Sequence, residues 1–265
     1  MKKYIVVGNP IGHSLSPKLH NFWIKSNNIK AIYKKENIFK NELKQVIERL
    51  RNKKLDGVNV TVPYKTDIIP YIDELTEESQ HTQSVNTIFE RNEKIVGHNT
   101  DIAGFDLSIR HAKLNLKNKR VLILGAGGVS PSLIYALKKH EIKEVAISNR
   151  TYSKAENIKK KFSEIKIIEW ENFYDFDIVI NATSLGLNLK DKIKIEHKKL
   201  KPNKIFYDVI YNPEETNFLR EARINNHKTQ NGMMMFIYQA HQAFTIWHNL
   251  MPKIDNELME LLRNE

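Results

Sequence analysis

Val121-Leu122-Ile123-Leu124-Gly125-Ala126-Gly127-Gly128-Val129-Ser130 is the stretch on which the fold turns. Four aliphatic residues in a row read as a strand covered on both faces, the habit of parallel sheets. Glycines follow at once, and a helical run, Leu133–Lys139, follows them. Glycines at such a turn permit a tight reversal and let backbone N–H groups approach a diphosphate, which the positive end of the helix dipole also favours. Ser130 stands where a third Gly or Ala is usual, so the fingerprint is imperfect. A purely structural turn has the same look; the position of this one, opening a strand–helix–strand unit, favours a dinucleotide.

The next strand, Val145–Ser148, ends in Asn149-Arg150-Thr151, with Lys154 three residues on. A carboxylate there holds the ribose 2′-hydroxyl of NAD. None is present. A guanidinium meets a 2′-phosphate in planar, often bidentate geometry, so the pair of cations points to NADP(H). Alone, Asn-Arg would be an ordinary helix-capping loop.

Outward from this unit, short β-branched runs alternate with helical ones. Predicted strands are Tyr4–Val7, Ala31–Tyr33, Gly57–Val62, Val85–Phe89, Val121–Leu124, Val145–Ser148, Lys166–Ile168, Ile178–Ile180 and Ile205–Val209. Between them lie apolar residues at three- and four-residue spacing, such as Leu43, Val46, Ile47 and Leu50. That alternation predicts an α/β chain of parallel open sheets with crevices at the strand carboxyl ends. One winding runs from residue 1 to the Asn99-Thr100-Asp101 cluster; a second starts at Val121, after the polar stretch Lys113 to Arg120, and ends near Gly232. The final helices, Met233–Asn249 and Asp255–Arg263, could pack on either.

Composition narrows the class. Hydrophobic residues at 41% are enough for a packed core, and the absence of cysteine removes disulfides, thiolate metal sites and a Cys nucleophile, and fits a cytoplasmic location. The apolar run after Met1-Lys2-Lys3 stops at Val7, too short for a signal peptide, and no stretch approaches the ~20 apolar residues of a membrane span. The net charge of +11 is spread over Lys34-Lys35, Lys53-Lys54, Lys138-Lys139, Lys159 to Lys161 and Lys198-Lys199. This reads as a solvated surface rather than a nucleic-acid patch. No histidines have zinc-ligand spacing; even His241 and His248 lie seven residues apart, so no metal is expected.

The first winding carries polar clusters at predicted strand ends. They are Ser14-Leu15-Ser16-Pro17, Asn59-Val60-Thr61-Val62-Pro63-Tyr64-Lys65, and Gly97-His98-Asn99-Thr100-Asp101. Ser16-Pro17 reads as an N-cap with Pro at the first helical position, and Asn-Thr-Asp also caps helices. Each has that bland reading alone. Together they set hydroxyls, amides, one Lys and one Asp where open α/β sheets bind ligands.

Taken in order, Asn9-Pro10, His13 to Pro17, His20-Asn21, Asn59 to Lys65, Val85-Asn86-Thr87, Asn99-Thr100-Asp101 and Gly104-Phe105 resemble the shikimate dehydrogenase family. The likeness continues through Gly125 to Gly128, Asn149-Arg150-Thr151, Asn181 to Ser184 with Gly186, Tyr207 to Tyr211, Gly232 and Gln239-Ala240, and so spans nearly the whole chain. It implies two open-sheet α/β domains, a substrate-binding one (1–101 and 233–265) and a Rossmann NADP-binding one (102–232), with an interdomain cleft. It implies NADPH-linked, reversible reduction of 3-dehydroshikimate to shikimate, on the route to chorismate and the aromatic amino acids, by a monomer or homodimer. Ser14 and Ser16 would hold the carboxylate, with Tyr211 near. Asn59, Thr61, Asn86 and Gln239 would bind ring hydroxyls, and Lys65 and Asp101 would be the catalytic pair. Gly125, Ala126, Gly127, Gly128, Val129, Asn149, Arg150, Thr151, Lys154, Thr183, Val209, Gly232 and Met235 would line the cofactor, with Glu77 near its nicotinamide. Competing readings are an NAD-linked quinate/shikimate dehydrogenase, a silent NADP-binding sensor and, on charge alone, a nucleic-acid binder.

Overall fold

The computed structural model describes residues 1–173, 176–188 and 190–263. Two compact units divide the chain: Met1–Gly104 with Ile237–Glu265, and Phe105–Phe236.

The first unit contains β1 (Lys2–Gly8), α1 (Ser16–Ser26), β2 (Ala31–Asn37), α2 (Leu43–Arg51), β3 (Gly57–Val60), β4 (Glu74–Leu75), α3 (Glu77–Thr82), β5 (Thr87–Arg91) and β6 (Lys94–His98), and it ends in the first turn of α4 (Asp101–His111). The sheet order is β2-β1-β3-β5-β6-β4. Period-two alternation explains its two cores. Ile5 and Val7 point to one face, where they join Val58, Val60 and the apolar stripe of α2: Leu43, Val46, Ile47 and Leu50. Tyr4 points to the other, stacking on Trp247 at 4.9 Å. Each such buried side chain contributes roughly 1.5–3 kcal/mol over an exposed one.

Contrary to the expected parallel sheet, this one is mixed. Strand β5 runs antiparallel to both β3 and β6. The cause is a two-residue hairpin: Asn92 and Glu93 both have positive φ (53° and 64°) between the paired Arg91 and Lys94. Turns of that kind join only antiparallel neighbours, and Asn-Glu lacks the Gly that usually announces one. The strands at Glu74–Leu75, Lys94–His98 and Lys228–Gln230 were not among those predicted. Two residues are too few to show alternation, and the third is a polar edge strand.

The second unit contains the rest of α4, then β7 (Arg120–Leu124), α5 (Ser130–Leu137), β8 (Glu144–Ser148), α6 (Tyr152–Lys159), β9 (Lys166–Ile168), β10 (Ile178–Asn181), β11 (Ile205–Asp208), α7 (Asn217–Ile224), β12 (Lys228–Gln230) and the start of α8 (Met233–His248). The helix α9 (Asn256–Arg263) closes the chain in the first unit. Strand order is β12-β11-β10-β7-β8-β9 and every pair is parallel. This is the doubly wound order of dinucleotide-binding sheets, with its switch point between β7 and β10. Leu122, Leu124, Phe206 and Val179 form one core with Phe218 and Leu219 of α7. No helix of the described residues is long and apolar enough to cross a membrane.

His20 lies inside an aromatic cluster, its ring flat on Tyr33 at 4.2 Å and edge-on to Trp23. Burial, with a smaller push from His248, drives its pKa down to about 3. Above pH ~6.5 neither the folded nor the unfolded form is charged and the group is silent. Below that, the unfolded chain takes up a proton that the folded chain refuses. Stability should therefore fall by roughly 1 kcal/mol per pH unit from this residue between pH ~6.5 and ~4. Urea titrations across that range should show the slope in the wild type and a shallower one in His20→Phe; equal slopes would refute the assignment.

Candidate active site

In the first unit the polar residues after β1, β3 and β6 are built into fixed turns. Tyr64 anchors the turn after β3: its ring is buried, its hydroxyl donates to Ile38 O (2.8 Å), and its N–H donates to Thr61 O (2.9 Å). Thr61 itself continues the strand direction, donating to Val7 O. One residue past Tyr64, Lys65 has its carbonyl taken by Val85 N–H at 2.8 Å. Asn99 accepts from Asp101 N–H (3.1 Å) and so begins α4.

These turns bring Lys65 and Asp101 together. Lys65 Nζ donates to Asp101 Oδ2 at 2.5 Å, with the two residues only 8% and 5% exposed. Asn86 Nδ2 donates to the other carboxylate oxygen at 3.0 Å. The Asn86 amide cannot turn over, because its Oδ1 accepts from Thr100 N–H at 2.8 Å. A lysine ammonium has three protons, so the pair leaves donors for a further oxygen. Asn59 is buried in the same network: Oδ1 accepts from Tyr33 OH (2.6 Å), and Nδ2 donates to Asn86 O and Thr87 Oγ1.

Ser14 and Ser16 sit at the start of α1, where the structure corrects the expected cap. Leu15 is the N-cap, Ser16 is already helical, and it is the Ser14 hydroxyl that accepts from Ser16 N–H (3.3 Å). Gln239 is half-buried on the first-unit part of α8. Glu77 is exposed at the start of α3 in the first unit, whereas Tyr211 belongs to the second, its ring stacked on Phe236 at 4.3 Å.

In the second unit the glycine-rich turn leaves β7 beside the switch point. Gly125 has φ +106° and its N–H donates to Ser148 O (2.7 Å). Ser130, at the imperfect fingerprint position, is fully buried and donates to Gly125 O at 2.8 Å, so its hydroxyl is absorbed by the turn. Ala126 N–H donates to Asn149 Oδ1 (3.0 Å), which ties the turn to the end of β8. A Cβ at Gly127 would meet no atom within 4 Å. Packing inside the protein does not require glycine there; a ligand lying on the turn would. Arg150, Thr151 and Lys154 are all exposed after β8. These features fit a dinucleotide with a 2′-phosphate.

Sequence reasoning assigned no role to Asp208, which organises the neighbouring loops. Fully buried at the end of β11, it accepts from Asn181 Nδ2, Ile210 N–H (3.0 Å) and Thr216 Oγ1 (2.7 Å). Burial pushes its carboxyl up to about 6, against the pull of those donors. Asn181 in turn accepts from Thr183 N–H and Oγ1. A polar residue ending an apolar strand was the available signal.

Two family models match: the shikimate dehydrogenase substrate binding domain over residues 6–88, and shikimate / quinate 5-dehydrogenase over 107–221. The shikimate dehydrogenase (NADP(+)) of Pelagibacter ubique is 54% identical over 261 residues, 98% of each chain. The chain belongs to the shikimate dehydrogenase family. Solved members share the fold: a shikimate dehydrogenase in complex with NADP+ has a TM-score of 0.92 at 33% identity, covering 99% of this chain and 95% of that one. The Thermus thermophilus shikimate 5-dehydrogenase in complex with NADP(H) and shikimate has 0.89 at 30%, covering 99% of each. Among shikimate dehydrogenases this chain thus carries both halves of the family's architecture.

Gly232 lies close against the neighbouring backbone of the second unit, since a Cβ there would lie 2.2 Å from Val209 O. Gly232→Ala should force the two backbones apart and cost about 1–3 kcal/mol, the usual penalty of overpacking. Urea denaturation measures it; an unchanged midpoint would mean the approach is not tight.

Proposed function

We propose that the chain reduces 3-dehydroshikimate to shikimate with NADPH, reversibly, and that Lys65 and Asp101 flank the reacting oxygen. The observation that carries this reading is the buried 2.5 Å pair, with Asn86 on its second carboxylate oxygen. Residues 1–101 and 233–265 take the substrate and 102–232 the cofactor, within the family's cytoplasmic biosynthesis of aromatic compounds; a monomer or homodimer would serve equally.

Bound NADPH supplies the hydride. Gly125 to Val129 would hold its diphosphate, Arg150, Thr151 and Lys154 its 2′-phosphate, with Asn149 fixing the turn and Thr183, Val209, Gly232 and Met235 along its length; Glu77 would lie toward its nicotinamide. Ser14 and Ser16 would offer two hydroxyls to the substrate carboxylate, with Tyr211 near, and Thr61, Asn59, Asn86 and Gln239 would bind the ring hydroxyls, Asn59 through the remaining lone pair of its Oδ1. Lys65 meets the carbonyl oxygen. As negative charge grows there, the ammonium stabilises it and delivers the proton that completes the alcohol. Little water screens that charge, since the lysine is almost wholly buried. Asp101 aims the ammonium and accepts from an adjacent ring hydroxyl. In the reverse direction Lys65 takes the proton back.

Absorbance at 340 nm with shikimate, quinate, NADP+ and NAD+ in all pairings tests the reading; shikimate with NADP+ should turn over fastest, and no change in any pairing would sink it. Lys65→Ala should lower kcat by roughly 10²–10³ while NADPH affinity moves less than a few-fold. Turnover near the wild-type rate would remove Lys65 from the chemistry. Arg150→Ala should raise KM for NADP+ by roughly 10–100-fold, the worth of charge-assisted hydrogen bonds, and leave KM for NAD+ nearly unchanged. Equal effects on both cofactors would place Arg150 away from the 2′-phosphate.

A further inference from the structure

Behind the Lys65–Asp101 pair the hydrogen bonds run in one direction. Tyr33 OH donates to Asn59 Oδ1 at 2.6 Å. Asn59 Nδ2 donates to Thr87 Oγ1 at 3.0 Å, Thr87 Oγ1 to Asn86 Oδ1 at 3.1 Å, and Asn86 Nδ2 to Asp101 Oδ1 at 3.0 Å. All five residues are less than a tenth exposed. At Asn59 the direction is imposed rather than chosen. The carbonyl of Asn86 can only accept, and it takes Asn59 Nδ2 at 2.9 Å, so Oδ1 of that amide must face Tyr33. The far end of the chain is a carboxylate, which also only accepts.

Tyr33 is itself held more firmly than a core tyrosine needs. Asn21 clamps its backbone from α1, accepting from Tyr33 N–H (2.9 Å) and donating to Tyr33 O (2.8 Å). His20, the preceding residue of the same helix, lies flat on its ring at 4.2 Å with 1° between the planes. The hydroxyl is therefore delivered to Asn59 from a fixed point.

We propose that Tyr33 is a positioning residue: its hydroxyl starts a one-way chain of hydrogen bonds, through Asn59, Thr87 and Asn86, that sets the plane of the Asp101 carboxylate and hence the aim of Lys65. This rests on the function proposed above. Tyr33 touches no reacting atom. Its loss leaves Asn59 Oδ1 without that donor and loosens the Asn59 amide; the slack passes through Thr87 to the Asn86 amide, which keeps its bond from Thr100 N–H but tilts about it and shifts the Asp101 carboxylate that directs the ammonium. The second unit takes no part in the chain, so cofactor affinity should not feel it.

The test is steady-state kinetics with shikimate and NADP+ on the full chain, alongside thermal unfolding and NADPH titration. Tyr33→Phe, which keeps the ring and the stacking, should lower kcat by about tenfold, the weight of one net hydrogen bond, with NADPH affinity unchanged. Thr87→Val breaks the chain one link further on and should cost a similar factor, whereas Thr87→Ser, which keeps the hydroxyl, should restore most of it. The Tyr33→Phe/Thr87→Val double variant should fall little below either single one, because both act on the same path. Should Tyr33→Phe fail to fold, the Thr87 pair decides. A purely structural role predicts lower unfolding temperatures with kcat within twofold of wild type, and that result overturns the proposal. A wild-type chain that does not oxidise shikimate overturns the function, and the relay with it.

Discussion

A lysine ammonium and an aspartate carboxylate withdrawn from water together each carry a desolvation penalty of several kcal/mol, and only close geometry with every remaining hydrogen bond satisfied offsets it. Asp101 meets that condition on both its oxygens, while Lys65 meets it in part, holding protons in reserve for a further oxygen. The Lys65 backbone is bonded to Val85, the Asp101 backbone to Asn99, and the Asn86 amide to the start of α4. The turn after β3, the segment before β5 and the N-terminus of α4 are thereby locked to one another. A site assembled in this way has its electrostatics oriented before any ligand arrives, which is the condition under which charge stabilisation is effective.

The second unit solves a related problem without a cation. Asp208 is fully buried, so its negative charge is held by donors alone: a side-chain amide, a backbone N–H and a hydroxyl. Burial raises its pKa to about 6, because those donors replace water only in part. In return they draw the loops after β10 and β11 together at the strand ends. Beside them the glycine-rich turn is tied to β8 through Asn149, and Gly232 packs directly on the Val209 carbonyl. In both units the polar residues sit where apolar strands stop, because a strand end is where backbone and side-chain groups are least committed to the sheet.

Legibility varied with the length of the signal. The run Val121–Leu124 with its glycines announced a parallel strand, a turn and a helix, and all three are present. The two-residue Glu74–Leu75, the polar edge at Lys228–Gln230 and the hairpin through Asn92-Glu93 were silent, for their patterns are too short or their turn chemistry atypical. At the site, the Ser-Pro, Asn-Val-Thr-Val-Pro and Asn-Thr-Asp clusters marked the strand ends. The amide orientation of Asn86 and the part played by Tyr33 and Asp208 were invisible, because each depends on a partner far away in the chain.

From the sequence alone came the alternation of strands and helices, the dinucleotide turn, the cationic loop after β8 and the family, since each is written in residues that are neighbours or near neighbours along the chain. Tertiary structure alone decided that one sheet is mixed, and that an ammonium and a carboxylate 36 residues apart meet at 2.5 Å with a single amide orientation behind them. Local pattern records what a segment prefers to be. Which buried donor faces which buried acceptor is settled only when the segments close on one another and water is excluded.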